Sequence, residues 1–342
     1  MSFLPSYEFK GGDAHWTTFG EFCKFELASG GPDPQLPTVL YMSKGLPMQE
    51  RLWRAGCYIA LHNLPYGELI WRQWDWPSVN SAGVDEIESW FVANFRKFDM
   101  RVERRCVRRP DWLTACLVGL RDFIRDYDNL KDRCAKVGDP VLAYDLVWDR
   151  AEEVPYFGRY ILIKFLELIK RHGELNIESP DIRPAGAWSP RLMLSILWPD
   201  FVCIAENSNC QEYLQLVNDL APRTLKRLSN DSGVDLSLFQ LQVLLCEYRE
   251  CWQSRNYYPG CSLDEELGFC LSAENRWGHK SDMWAARAAL FPKNHLGELQ
   301  GWDNVRKILG TTLADYGYVW SDLKYDYKRT NYFVTPRRYG NG

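Results

Sequence analysis

A chain of 342 residues, 46% hydrophobic and with a formal net charge of −4, can bury one large core or two modest ones. The acidic balance excludes a uniformly basic coat, so any phosphate-binding face is a local patch. Eleven cysteines, an odd number with no C-x-x-C spacing, speak for a reducing compartment and against a secreted disulfide framework. No apolar run approaches the roughly 20 residues that cross a bilayer. The expected setting is the cytoplasm, without membrane contact.

Residues 1–46 are rich in Gly, Pro and aromatics and show little periodicity, which predicts an irregular arm packed on the body. Residues 47–317 read as a helical body, in one lobe or two, with no composition break to place a boundary. Several prospective helices open with proline in the first turn, where its missing N–H costs nothing: Pro47, Pro110, Pro140, Pro190 and Pro222. Asp139 and Ser189 stand where N-caps belong. Between them, Val154-Pro155-Tyr156-Phe157-Gly158 reads as a tight turn leading into an apolar helix over 159–171. Lys164, Glu167 and Arg171 recur there at three- and four-residue steps, predicting a narrow wet stripe on a buried helix. Residues 236–253 and 303–316 are also expected to be helical, and only Tyr332-Phe333-Val334 tempts as a strand. Residues 318–342 form an aromatic and basic tail, with Lys324, Lys328, Arg329, Arg337 and Arg338 among four tyrosines. The fold class is mainly α.

Familiar catalytic signatures are missing. There is no G-x-x-x-x-G-K-[ST] loop, no G-x-S-x-G elbow and no H-E-x-x-H. His62, His279 and His295 stand alone, so no metal site is expected. Arg101, Arg104, Arg105, Arg108 and Arg109 crowd into nine residues, with Glu103 alone opposing them. They form either a solvated face or a phosphate site, since guanidinium forks match phosphate oxygens two at a time. A proline followed three residues later by Gly158, opening a helix, presents backbone N–H groups to an anion. Asp181 and Arg183 lie in a Pro-bounded loop that is either an Asx turn or a general base beside a bound base, with Trp188 as a stacking wall. A last group comprises Cys246-Glu247-Tyr248 and Tyr258 through Glu265. There Ser262 and Glu265 read as a capping box, while Asp264 has no such structural explanation.

The helix, turn, helix and following aspartate resemble the helix-hairpin-helix DNA glycosylases. The wider set resembles the phage amino acid:DNA transferases, also described as alpha-glutamyl/putrescinyl thymine pyrophosphorylases, over about residues 50–270. The resembling pieces are Trp53-Arg54, His62-Asn63, Glu68 to Trp71, Glu103 to Pro110, Phe157 to Tyr160, Asp181 to Arg183, Trp188 to Arg191, Cys246 to Tyr248 and Tyr258 to Gly260. The resemblance implies a glycosylase-like helical fold and a transferase of thymine hypermodification. Such an enzyme lets an amine, commonly that of free glycine, displace pyrophosphate from 5-pyrophosphoryloxymethyluracil in double-stranded DNA. It implies pyrophosphate contacts for Arg104, Arg105, Arg108, Arg109, Arg159 and Arg183. It implies DNA or base contacts for Gly158, Tyr160, Trp188, Arg191, Tyr258 and Asp264. Asp181, then Glu247, are the candidate bases, and Cys246 is the nucleophile if a thiolate first adds to the ring. No cofactor is required; whether a divalent metal assists the leaving group stays open. A true glycosylase and a non-catalytic DNA-binding module are the alternatives.

Overall fold

A computed structural model describes residues 13–28, 31–98, 109–198, 210–252, 261–278 and 280–290. Their regular structure is helical throughout, with no strand among the described residues, as the mainly α reading expects. In chain order the helices are α1 (Asp13–Ala28), α2 (Gln35–Met42), α3 (Met48–Leu61), α4 (Leu64–Gln73), α5 (Trp76–Ser81), α6 (Val84–Asn94) and α7 (Pro110–Arg125). They continue with α8 (Tyr127–Val137), α9 (Pro140–Glu152), α10 (Arg159–His172), α11 (Trp188–Leu197), α12 (Gln211–Ser232), α13 (Leu238–Trp252), α14 (Cys261–Trp277) and α15 (Met283–Leu290). The expected helix over 303–316, the strand-like 332–334 and the C-terminal tail lie outside the described residues.

The chain divides into two compact units. The larger comprises Gln35–Pro180, Glu265–Leu290 and Phe333–Gly342. Its centre is α3, whose Leu52, Trp53, Ala55, Cys57, Tyr58, Ile59 and Leu61 are all buried, leaving almost no wet face. Such a helix needs neighbours on every side, and two glycines let them close in. A Cβ on Gly56 would meet Leu120 of α7 at 2.0 Å, and one on Gly67 would meet the Tyr58 backbone nitrogen at 2.9 Å. Asn63 caps α4 by accepting from the Tyr66 amide, and Trp53 Nε1 donates to the Trp74 carbonyl at 2.7 Å. A ring cluster of Trp74, Trp90, Phe91, Phe98 and Trp277 fills one end of this unit.

Helices α9 and α10 are joined by a six-residue turn. Asp139 caps α9 as expected, accepting from the amides of Val141 and Leu142. Pro110 and Pro140 are the first residues of their helices, also as expected. The turn is closed by Phe157 N–H to the Val154 carbonyl at 3.1 Å, with Tyr156 in left-handed backbone at φ 68°. It docks on α7 because residue 119 is glycine: a Cβ there would meet Pro155 Cδ at 2.4 Å. Helix α10 runs antiparallel to α3, so Lys164 meets His62 while Arg51 meets Glu174.

The second unit comprises Met1–Pro34, Asp181–Asp264 and Phe291–Tyr332, and its described helices are α1, α11, α12 and α13. Trp16, Phe19, Phe22 and Cys23 of α1 are buried, with Phe19 and Phe22 set against Tyr248 at 5.0 and 5.2 Å between ring centroids. Trp16 Nε1 donates to the Leu197 carbonyl at 2.7 Å, and Arg227 lies over its ring at 4.4 Å.

Four expectations change. The stretch read as irregular contains α1 and α2, because Trp16, Phe19, Phe22 and Cys23 recur at helical spacing and find a core. Pro222 opens no helix; it sits inside α12, eleven residues after Gln211, with its ring exposed. The apolar face through Tyr213, Val217, Leu220, Thr224 and Leu228 carries the helix past the one bond that proline removes. Ser189 is not an N-cap, since α11 begins at Trp188, and its hydroxyl is turned inward. Lys164 is not on a wet stripe but is 4% exposed, against α3. Glu167 and Arg171, by contrast, do line the wetter face and pair at 2.6 Å.

Candidate functional site

In the smaller unit the polar residues gather on α11, α12, α13 and the turn before them. Asp181 forms an Asx turn: its Oδ1 accepts from the Arg183 amide at 2.6 Å, and Arg183 adopts left-handed backbone at φ 47°. The Arg183 Nε lies 3.7 Å from the same carboxylate oxygen, and the Asn218 side-chain amide donates to Oδ2 at 3.0 Å. The turn and its arginine partner are therefore as the structural reading of the loop expects. The Asp181 side chain is half-buried.

One helix on, Arg191 is 2% exposed, donates to the Ala187 carbonyl at 3.2 Å and places its guanidinium 5.6 Å from the Tyr213 ring. Arg249 is also buried and donates to Ser189 Oγ at 2.5 Å. Helix α12 thus holds Asp181 through Asn218 and meets Arg191 through Tyr213. Trp188 is half-buried at the start of α11. Helix α13 carries Cys246 and Glu247, both half-buried, beside Arg249. Burial first, then the nearby Glu26 and Glu247 carboxylates, pushes the buried Cys23 thiol well above the usual range, which marks it as a core residue.

In the larger unit the turn before α10 makes a second group. Gly158 is the N-cap at φ −80°, and a Cβ there would meet nothing within 4 Å. Neither dihedral nor packing calls for glycine, and the space above the first turn is open. Arg159 and Tyr160 are half-buried in that turn. The Tyr160 ring lies 5.6 Å from the His62 ring and 4.9 Å from Lys164 Nζ, which is itself 2.9 Å from His62 Nε2. Periodicity hid Lys164 among surface charges, and His62 looked isolated because its partner lies 102 residues away. Arg109, the described member of the arginine cluster, forks onto Asp111 at 2.9 and 2.7 Å and is 61% exposed. It also faces the Trp112 ring at 5.4 Å, which stacks on Tyr156 at 5.1 Å.

A family model for amino acid:DNA transferases matches residues 55–258. The chain belongs to that family. No curated protein and no solved structure matches the chain. As an amino acid:DNA transferase the protein is an enzyme whose substrates are DNA and an amino acid. The matched span contains the Asp181 turn, helices α11 to α13 and the turn before α10, so both polar groups fall within the transferase region.

Of the residues expected to serve the transferase, Arg104, Arg105, Arg108 and Tyr258 lie outside the described residues. Asp264 falls in the first turn of α14, and because that helix begins at Cys261, Ser262 lies within the helix rather than capping it. The structure brings Asp181 together with Arg183, and Gly158 together with Arg159 and Tyr160. It adds Asn218 and Arg249, which sequence reading passed over, and pairs His62, read as isolated, with Lys164, read as part of a wet stripe. Arg249 and Asn218 carry no local signal: one is the lone basic residue of a largely apolar helix, the other a common surface residue type. Among the described residues no group of three or more His, Cys, Asp or Glu is placed to hold a metal ion. Among them also, no helix is long and apolar enough to cross a membrane.

Proposed function

We propose that this transferase replaces the pyrophosphate of 5-pyrophosphoryloxymethyluracil in DNA with the amine of an amino acid, glycine first among them. The observation that carries the reading is the grouping, within the family-matched span, of an acidic turn at Asp181–Arg183 with the buried guanidinium of Arg191. The missing triphosphate-binding loop suits the same chemistry, because a preinstalled leaving group needs no nucleotide in the transferase itself.

In the reaction, the amino acid's ammonium first gives up a proton. Its nitrogen then forms a bond to the exocyclic methylene carbon while the carbon–oxygen bond breaks, and pyrophosphate leaves with the electron pair. The new secondary ammonium loses its second proton to solvent or a base. Asp181 is the proton acceptor in this reading, with its Asx turn and Asn218 fixing the carboxylate's direction. Arg183 meets the charge growing on pyrophosphate. The open first turn of α10, with Gly158, Arg159 and Tyr160, takes a DNA phosphate on its backbone amides. The target base is extruded from the duplex for the nitrogen to reach it, at a cost of a few kcal/mol.

The test is direct. Full-length protein is incubated with DNA bearing the pyrophosphorylated base and single amino acids, the DNA is digested, and nucleoside masses are read. A glycine-sized adduct with released pyrophosphate, lost in Arg183→Ala, supports the reading. Unchanged nucleoside with every amino acid overturns it, and abasic sites in its place assign a glycosylase instead.

A further inference from the structure

The turn before α10 carries its residues in an order that its own backbone does not ask for. Tyr156 sits in left-handed backbone at φ 68°, where glycine is at ease and a ring-bearing residue is not. Gly158, two residues on, has φ −80° and open space around it, so a Cβ would fit there. Exchanging the two would relieve the turn. The tyrosine is nonetheless present and 49% exposed. A large ring kept at an exposed tip, against the preference of its backbone, marks a contact surface rather than a packing need.

That ring is firmly supported, all within the larger unit. It stacks on Trp112 of α7, with centroids 5.1 Å apart and planes 20° apart. Beside it Phe157 is buried against Phe165 at 5.1 Å, and Pro155 sits on Gly119 of α7. Trp112 and Gly119 are two helical turns apart on one face, so α7 holds the turn at two points. Arg109 lies 5.4 Å from the Trp112 ring, but its fork is already taken by Asp111. The local charge is therefore balanced, and the guanidinium is poorly placed to clamp a phosphate. What the face offers is π surface, and π surface selects another flat, conjugated partner.

The macromolecular substrate of the family is DNA, and both rings lie inside the matched span. In a paired duplex each base face is covered by its neighbours, so an exposed ring meets one only where a base has left the stack. We propose that Tyr156, backed by Trp112, stacks on an unstacked base of the DNA substrate, so that the turn recognises DNA opened at one position. The proposal rests on DNA as the substrate and not on the identity of the leaving group. It gives the turn a part that phosphate contacts do not supply, since those hold paired and opened DNA alike.

The experiment measures the affinity of the full chain, by fluorescence anisotropy, for a paired duplex and for the same duplex carrying a bulged thymine. The wild type is expected to prefer the bulge. Asparagine tolerates left-handed backbone, so Tyr156→Asn keeps the turn and removes the ring. It is expected to bind the bulged duplex about tenfold more weakly, and the paired duplex within about twofold of the wild type. Tyr156→Phe keeps the ring and is expected to keep the preference. The lost factor should be the same at low and high salt, because stacking releases no counterions. A second measurement needs no variant: 5-iodouracil at the bulge, irradiated in complex with the wild-type protein, should crosslink to the peptide holding Tyr156 or Trp112. No preference for the bulge, unchanged bulge affinity in Tyr156→Asn, or an equal loss on both duplexes overturns the proposal, as does a crosslink confined to other peptides. The pyrophosphate reaction stands or falls separately, on the nucleoside masses.

Discussion

Helix α10 buries polar groups near both of its ends, and the two ends are finished differently. Toward its start, Lys164 and His62 lie 2.9 Å apart with the Tyr160 ring alongside. Toward its finish, the His172 ring nitrogens and the Tyr127 hydroxyl are buried with no hydrogen-bond partner among the described residues. Both ends pack against the same neighbour, α3, so helix and core are shared and only the pairing differs. The contrast teaches that burial of a polar group is not in itself a functional mark. A group whose partner the chain supplies holds elements together, and one without a partner costs stability.

Substitutions at the two ends sharpen that contrast. The largest effect is expected at the paired end: Lys164→Ala removes a buried stem and strips His62 of a partner, at a cost of about 2–4 kcal/mol. A urea midpoint lowered at unchanged slope is the expected result, whereas a solvated stripe residue would move it by no more than about 0.5 kcal/mol.

Acid comes next, at the other end. His172 is held neutral in the fold, its pKa lowered from 6.5 to about 3, so the unfolded chain takes up a proton first as pH falls. The stabilisation is complete above pH 6.5 and drains away below it, by up to about 1.4 kcal/mol per pH unit, or about 2 kcal/mol by pH 5. That window lies above the titration of ordinary carboxylates, and urea melts at pH 7 and pH 5, set against the same pair for the variant, separate His172 from the other four histidines. His172→Gln is expected to flatten the difference, and an unchanged slope with pH would remove His172 from the account.

Tyr127→Phe is smaller again. It deletes a hydroxyl that has no bond to lose, so the thermal midpoint should hold or rise, within about 1 kcal/mol. A fall of several kcal/mol would mean that the hydroxyl has a partner in solution and that the end is paired after all. The smallest effect belongs to the exposed Glu167–Arg171 pair on the same helix. Although its atoms are 2.6 Å apart, Arg171→Ala is expected to cost only about 0.3–0.5 kcal/mol, and less at high salt.

Much of the helical body was legible beforehand because it rests on local rules. Asp139 followed by Pro140 announces α9 through a side-chain cap and a proline that sacrifices no bond. The apolar run after Gly158 announces α10, and 236–253 announces α13. Local rules misled where burial overruled them. Pro222 reads as a helix start, yet the face from Tyr213 to Leu228 gains more from packing than one missing amide costs. Gly and Pro made residues 1–46 read as irregular, although four buried residues between Trp16 and Cys23 were spaced for a helix.

The candidate site follows the same division. Asp181 and Arg183 were visible because both members of the turn are two residues apart, and local geometry obliges them to meet. Family membership, too, is carried by runs of residues in the chain itself. Helix content and the acidic turn are therefore written in the order of side chains, since caps, periodicity and Asx turns act over a few residues. The pairings Lys164 with His62, Arg249 with Ser189 and Arg51 with Glu174 join positions from 60 to 123 residues apart. Their existence waits on how α3 and α10 align, and on how α11 meets α13. A charge is identical on paper whether it faces water or a partner, and packing alone settles which.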